Sequence, residues 1–173
     1  MKFSYHSTDE QYSSSMRIEV PVQQVLYYDT SNEKFSLSNP SFQSRYGEGI
    51  KLLKQQVCRI KCNIESQMGS TYKKGVCYLV FKLSESCSGL HCPIIIRDQS
   101  NRRSKETGIL YFRPPSPWNL VATDRVPTER GDGWMEVIVA IFNSDCRFLN
   151  LKLIAYEGTM SGLIIRNLEF RPS

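Results

Sequence analysis

The feature that most constrains this chain is the alternation in its C-terminal stretch, Gly131 to Ser173. Met135, Val137, Val139 and Ile141 alternate with Trp134, Glu136, Ile138, Ala140 and Phe142. After a short polar break, Leu149, Leu151, Leu153 and Ala155 alternate with Phe148, Asn150, Lys152, Ile154 and Tyr156. Successive side chains of a β-strand leave opposite faces, so a period of two over this length predicts half-buried strands. A third apolar run, Leu163 to Phe170, stops at Arg171-Pro172. The three runs predict an antiparallel meander that closes a sandwich.

Upstream the same pattern recurs. Cys58, Ile60, Cys62 and Ile64 share one phase, as do Cys77, Leu79, Phe81 and Leu83. Shorter strands are expected at Pro93–Arg97 and Gly108–Phe112, on either side of a solvated basic loop with Arg97, Arg102, Arg103 and Lys105. Arg17 to Leu26 reads as a strand broken at Pro21, which suits an edge because proline cannot donate to a ladder. Residues 1–16 show no apolar period and read as an N-terminal extension, leaving 17–173 as one domain. The only helix predicted is a short one in Arg45–Gln55. Residues Arg113 to Arg130 hold four prolines and Trp118, and read as a long loop of the kind that is often functional. Many short strands with at most one short helix give an all-β fold, an antiparallel β-sandwich of jelly-roll type.

Composition narrows the class. At 173 residues, 40% hydrophobic and 23% charged, the chain can bury its own core. No run approaches the roughly 18 apolar residues that cross a bilayer, and Met1-Lys-Phe-Ser-Tyr-His lacks the apolar core of a secretory signal. A cytoplasmic and nuclear protein with no membrane partner is expected. Six cysteines, at 58, 62, 77, 87, 92 and 146, are expected as free thiols, three of them on core phases. The spacings Cys58-x3-Cys62 and Cys87-x4-Cys92 do not make a zinc pattern, so neither metal nor cofactor is expected. The net charge of +5 is mild for a nucleic-acid binder.

Catalytic constellations are not apparent. The two histidines are His6, in the extension, and His91, beside Cys87 and Cys92. Sequence neighbours seldom adopt nucleophile–base geometry. Glu136, Glu157 and Glu169 give no pair flanking a cleft, as glycoside hydrolysis would require. The chain is not expected to be an enzyme.

Three motifs carry a resemblance. Asp132-Gly-Trp-Met-Glu-Val137 with the terminal Ser161-Gly-Leu-Ile-Ile-Arg-Asn-Leu-Glu-Phe-Arg-Pro-Ser173 is similar to the C-terminal signature of the plant phloem protein 2 family. Tyr72 followed by Cys77-Tyr-Leu-Val-Phe-Lys-Leu83 resembles its tyrosine and YLVFKL strand. Ser44-Arg45-Tyr46 with Glu48, Leu52, Ile60 and Ile64 resembles its SRF…E…L…I pattern. The resemblance covers roughly residues 40 to 173. It implies the sandwich fold and a lectin of the tobacco-agglutinin type, which takes N-acetylglucosamine oligomers or related glycans. The family's binding regions are a tryptophan-rich stretch before SRF and a W-K-S-G-L turn before the last strand.

This chain departs at both regions. No tryptophan precedes Ser44, where Phe42 is the nearby aromatic. Thr159 and Met160 stand where the turn would have Trp-Lys, while Ser161-Gly162-Leu163 remain. The resemblance therefore implies either a carbohydrate site of altered specificity at Phe42, Tyr156, Glu157 and Ser161 or a sandwich that has lost the usual sugar site, and Trp118, in the proline-rich loop, is a further candidate platform on its own reading. Aromatic rings suit the C–H faces of sugars, and carboxylates and hydroxyls suit their hydroxyl groups. Each residue also has a plainer reading. Trp134 can pack, Trp118 can clamp its own loop, Phe42 can be core, and Glu157 can be a solvated charge. The alternative function is a protein- or RNA-binding module on the same sandwich, favoured by the missing tryptophans and the basic loop. The relatives' architecture, together with apolar Ile138, Phe142, Ile154 and Tyr156 on second faces, predicts a homodimer.

Overall fold

A computed structural model describes residues 17–28, 43–46, 49–69, 73–101 and 104–172. Two antiparallel sheets pack as a sandwich around one core. The expected extension, 1–16, and Phe42, Tyr72, Arg102 and Arg103 lie outside the described residues.

The first sheet has seven strands. Its centre is β6 (Lys74–Leu83), with β12 (Leu163–Pro172) on one side and β10 (Met135–Asn143) on the other. Beyond β10 lies β9 (Thr128–Glu129). Two strands share the far edge of β12. β4 (Gly49–Leu52) pairs with Ile164 and Ile165, and β1 (Ile18–Pro21) pairs with Asn167 to Phe170. A register shift between Ile165 and Asn167 separates the two. The edge position expected for a proline-broken strand holds for β1. After Pro21, a 3-10 turn at Val22–Gln24 carries the chain to β2 (Leu26–Tyr28) in the other sheet.

The second sheet runs β2, β5 (Val57–Asn63), β11 (Phe148–Ile154), β7 (Ile94–Asn101) and β8 (Ser104–Leu110). Alternation works as the sequence predicts in β5, where Cys58, Ile60 and Cys62 are buried between more exposed neighbours. No helix among the described residues is long and apolar enough to cross a membrane.

The expected meander does not form. β10 pairs with β6 and β9, β11 with β5 and β7, and β12 with β6, β4 and β1. The chain changes sheet at each connection, so the inward phases of β10 and β11 meet in the core from opposite layers. Alternation fixes which face a strand buries, not which sheet it joins.

A second correction concerns the phase of β10. Its register against β6 slips between Ile138 and Ala140, a bulge that gives β10 one extra residue. Val137 and Val139 point inward as expected, but after the bulge Ala140 and Phe142 do so instead of Ile141. Ile141 is 75% exposed, while Phe142 packs edge-on against Phe170 with ring centroids 5.7 Å apart. Its partner in register is Gly75, where a Cβ would stand 2.5 Å from Phe142 Cζ. Phe142 and Ile154 are thus covered within one chain.

The helix expected in Arg45–Gln55 is instead a hairpin, β3 (Gln43–Tyr46) against β4. Ile50 and Leu52 are buried on either side of a half-buried Lys51, and that period of two prevails over a weak helical face. The single α-helix among the described residues, α1 (Ile64–Met68), is capped where the Asn63 side chain accepts from Ser66 N at 2.9 Å, and it ends at Gly69. The described part of the basic segment is strand in place of the expected loop: Arg97 lies in β7 and Lys105 in β8, which pair out to Asn101 and Ser104.

Candidate functional site

The turn between β11 and β12 and the loop between β6 and β7 meet at one end of the sandwich. The turn is anchored from below by backbone bonds. Ala155 N and Met160 N donate to Gln56 O and Gln55 O (2.7 and 2.8 Å), and Gly162 N donates to Leu52 O (3.0 Å). Met160 is fully buried and plugs the turn into the core. The loop is tied to the turn by Ser84 N donating to Gly162 O at 2.9 Å.

Gly162 makes that approach feasible. Its φ is 91°, in the left-handed region that glycine adopts most readily. A Cβ there would lie 2.7 Å from Cys87 Cβ. The loop is braced from the opposite direction by Arg113, whose Nε and Nη2 donate to the carbonyls of Gly89 and Cys87, both at 2.7 Å. Leu90, with φ 67°, pays for a left-handed backbone by burying its side chain.

Between loop and turn lies a cleft of about 430 Å³. One wall is Ser86 and Ser88 through Cys92, and the other is Glu157, Gly158, Thr159 and Ser161. Of the residues singled out in the sequence, Glu157 and Ser161 are brought together here. Tyr156 stands just before Glu157, 62% exposed, and its hydroxyl accepts from Arg97 Nη2 at 3.2 Å. Trp118 is 91% exposed on a 3-10 turn, Pro117–Asn119, and does not line the cleft.

Sequence reasoning missed Ser86, Ser88, His91 and Cys92 as wall residues. In the sequence His91 and Cys92 stand out as a possible catalytic pair, and Cys92 also through its spacing to Cys87, but neither as a wall of a binding cleft. Cys92 in fact faces Glu157: its thiol donates to Oε2 at 3.0 Å, and this bond, with burial and the carboxylate charge, pushes the thiol's pKa up. Among the described residues no three His, Cys, Asp or Glu side chains are gathered closely enough to hold a metal ion.

A second polar cluster lies on the outer face of the seven-stranded sheet. Glu169 accepts from Arg130 Nη1 at 2.9 Å and from Arg171 Nε at 3.1 Å. Glu136 accepts from Arg130 Nη1 at 3.2 Å, and both nitrogens of the Arg171 fork reach its two oxygens. Trp134 lies between Lys82 Nζ, 4.5 Å from its ring centre, and the Arg166 guanidinium at 5.5 Å. Arg130, with Glu136 of DGWMEV and Glu169 and Arg171 of EFR, therefore builds a lock that spans β6 from β10 to β12, and Trp134 packs beside it against Lys82 and Arg166.

The family model for phloem protein 2 aligns with residues 25–172. The chain belongs to the phloem protein 2 family. That family is known as a lectin-like domain, consistent with carbohydrate binding in general, and not as an enzymatic one. This phloem protein 2 chain is 28% identical over 144 residues to the F-box protein At2g02240 of Arabidopsis thaliana. The alignment covers 76% of the chain and 43% of that relative, so the chain spans less than half of the relative's length. Among solved structures it is similar to a Podospora anserina GH26-CBM35 beta-(1,4)-mannanase, with TM-score 0.42 and 8% identity, over 91% of this chain and 28% of the other.

Proposed function

We propose that this phloem protein 2 domain binds N-acetylglucosamine oligomers or related glycans in the cleft between the Ser86–Cys92 loop and the Glu157–Ser161 turn. The observation that carries the reading is the meeting of Glu157 and Ser161 with a serine-rich loop in one open cleft of sugar size. Hydroxyls of Ser86, Ser88, Thr159 and Ser161 both donate and accept, and the Glu157 carboxylate accepts from sugar hydroxyls or an amide N–H. Tyr156, next to Glu157 in the chain, offers an exposed ring.

Thr159 in place of a tryptophan removes an aromatic platform that contributes on the order of 1 kcal/mol beyond area burial. Binding is therefore weak, at about millimolar Kd. Calorimetry with chitotriose tests this. Wild type should bind, and Glu157→Ala should weaken binding about tenfold, as expected for loss of a charge-assisted hydrogen bond. No heat of binding at about 10 mM ligand, where a millimolar site would be nearly filled, rules the reading out.

A protein-binding module is the second reading, favoured by one observation. Trp118, Leu120, Val121 and Val126 are all exposed within nine residues of the same loop. If it is right, Trp118→Ala abolishes partner binding while chito-oligomers have no effect.

A further inference from the structure

The cleft's loop is held to its turn by two thiols. Cys87 Sγ donates to the Ser161 carbonyl at 3.4 Å, and Cys92 Sγ donates to Glu157 Oε2 at 3.0 Å. Glu157 sits on an exposed turn and is followed by Gly158, whose φ of 72° leaves the backbone unconstrained by a side chain. A glutamate in such a place has several rotatable bonds and few contacts to fix them. Cys92 is better anchored, two residues before β7 and joined to it through Pro93. Among the described residues, the thiol is the fixed partner and the carboxylate the one being held.

We propose that Cys92 is a positioning residue that fixes the Glu157 carboxylate in the cleft, and that the fixed carboxylate makes the cleft selective for uncharged glycans over acidic ones. This deepens the glycan-binding reading and rests on it. Three carbonyls along the walls already have donors: Gly89 O takes Arg113, Gly158 O takes Gln56 Nε2 at 3.2 Å, and Ser161 O takes Cys87. With Oε2 engaged by Cys92, the remaining oxygen of Glu157 is the strong acceptor open to a ligand. Among the described residues it is the one acidic side chain on the wall, and no lysine or arginine lines the cleft to offset it. A hydroxyl or N-acetyl N–H supplies the donor that this oxygen wants. A uronic or sialic carboxylate sets a second negative charge against it. The raised pKa of Cys92 fits the same contact, since a protonated thiol is what donates.

The experiment has a ligand-free arm and a binding arm. Iodoacetamide labelling of the native protein at neutral pH, resolved by peptide mass spectrometry, measures the reactivity of Cys92. Glu157→Gln weakens the hydrogen bond that chiefly raises the thiol and removes the charge that adds to it, so its labelling should speed up by about threefold or more. An unchanged rate overturns the thiol–carboxylate contact. In the binding arm, NMR titrations compare chitotriose with tri-galacturonate. Wild type should prefer the neutral trimer by about tenfold, and Glu157→Gln should bring the two within about twofold of each other. Cys92→Ala, with its fold checked by thermal melt, should weaken chitotriose about threefold to tenfold, and Cys92→Ser, which keeps a donor, should restore most of that. Chitotriose binding unchanged in Cys92→Ala overturns the positioning role while leaving the glycan site standing. A preference that persists in Glu157→Gln overturns the selectivity. Failure of wild type to bind either trimer removes the glycan reading and the selectivity together, with the labelling arm still deciding the contact.

Discussion

Arg130 and Glu169, 39 residues apart in sequence, are joined by a 2.9 Å hydrogen bond on the outer face of the seven-stranded sheet. Glu169 points away from the core that takes Leu168 and Phe170, yet its side chain is only 2% exposed. Arg171 and Arg130 close over it and link it to Glu136. Removing one partner of a buried charge cluster leaves the others uncompensated, which costs far more than a surface pair contributes. Glu169→Gln should therefore lower stability by about 2–4 kcal/mol in urea denaturation. A loss under about 0.5 kcal/mol, the size of an ordinary surface change, would mean the lock is ornamental.

The same residue sets an acid limb. Burial pushes the Glu169 carboxyl upward, but hydrogen bonds from Arg171 and Arg130, and their charges, outweigh it and hold the pKa below its usual 4.5. A carboxylate whose folded pKa is depressed contributes stability above its unfolded value and loses it as pH falls through the folded one. The melting temperature of wild type should thus hold near neutrality and drop steeply below about pH 4.5. In Glu169→Gln that drop should be shallower. Equal slopes in the two proteins would exclude Glu169 as its source.

Gly162 couples the fold to the cleft. Gly162→Ala sets a Cβ against Cys87 and forces a left-handed backbone on alanine, a cost of about 1–3 kcal/mol. The loop carrying Ser86 and Ser88 should be displaced with it. The substitution should lower the melting temperature and weaken chitotriose more than an equally destabilising core change such as Ile60→Val. Equal effects on binding would show that the close approach serves stability alone.

The thiols divide into two classes. Cys58, Cys62 and Cys77 are buried in the core, and burial pushes Cys62 up to about 11 and Cys77 well above its usual value. Cys87, Cys92 and Cys146 are partly exposed. At neutral pH the first three should resist a thiol reagent in the native protein, and all six should react once it is unfolded in urea. Fewer than six in the freshly purified, unfolded protein would contradict the free thiols of the structure.

Much of the fold was legible because period-two alternation reports burial directly, as in Cys58, Ile60 and Cys62. What was lost lay in information that alternation does not hold. Nothing local tells β11 to join β5 and β7 rather than β10, because pairing is a matter of nonlocal register. The bulge that turns Phe142 inward and Ile141 outward adds one residue without any change of composition. In the site, Glu157 and Ser161 were reached through a resemblance. Their opposite wall was not, since Cys92 and Glu157 meet across 65 residues. Trp118 was ambiguous between a clamp and a platform, and its 91% exposure answers against the clamp. Its substitution by alanine should leave the melting temperature within about 2 °C of wild type.

The central claim is that glycan binding occurs between the Ser86–Cys92 loop and the Glu157–Ser161 turn, and backbone amide shifts during an NMR titration with chitotriose test it most directly. Saturable shifts should concentrate at Ser86, Ser88, His91, Glu157, Thr159 and Ser161, with little change around Trp118 or the Arg130–Glu169 lock. Shifts that cluster on the Trp118 loop, or none up to about 10 mM ligand, would contradict it.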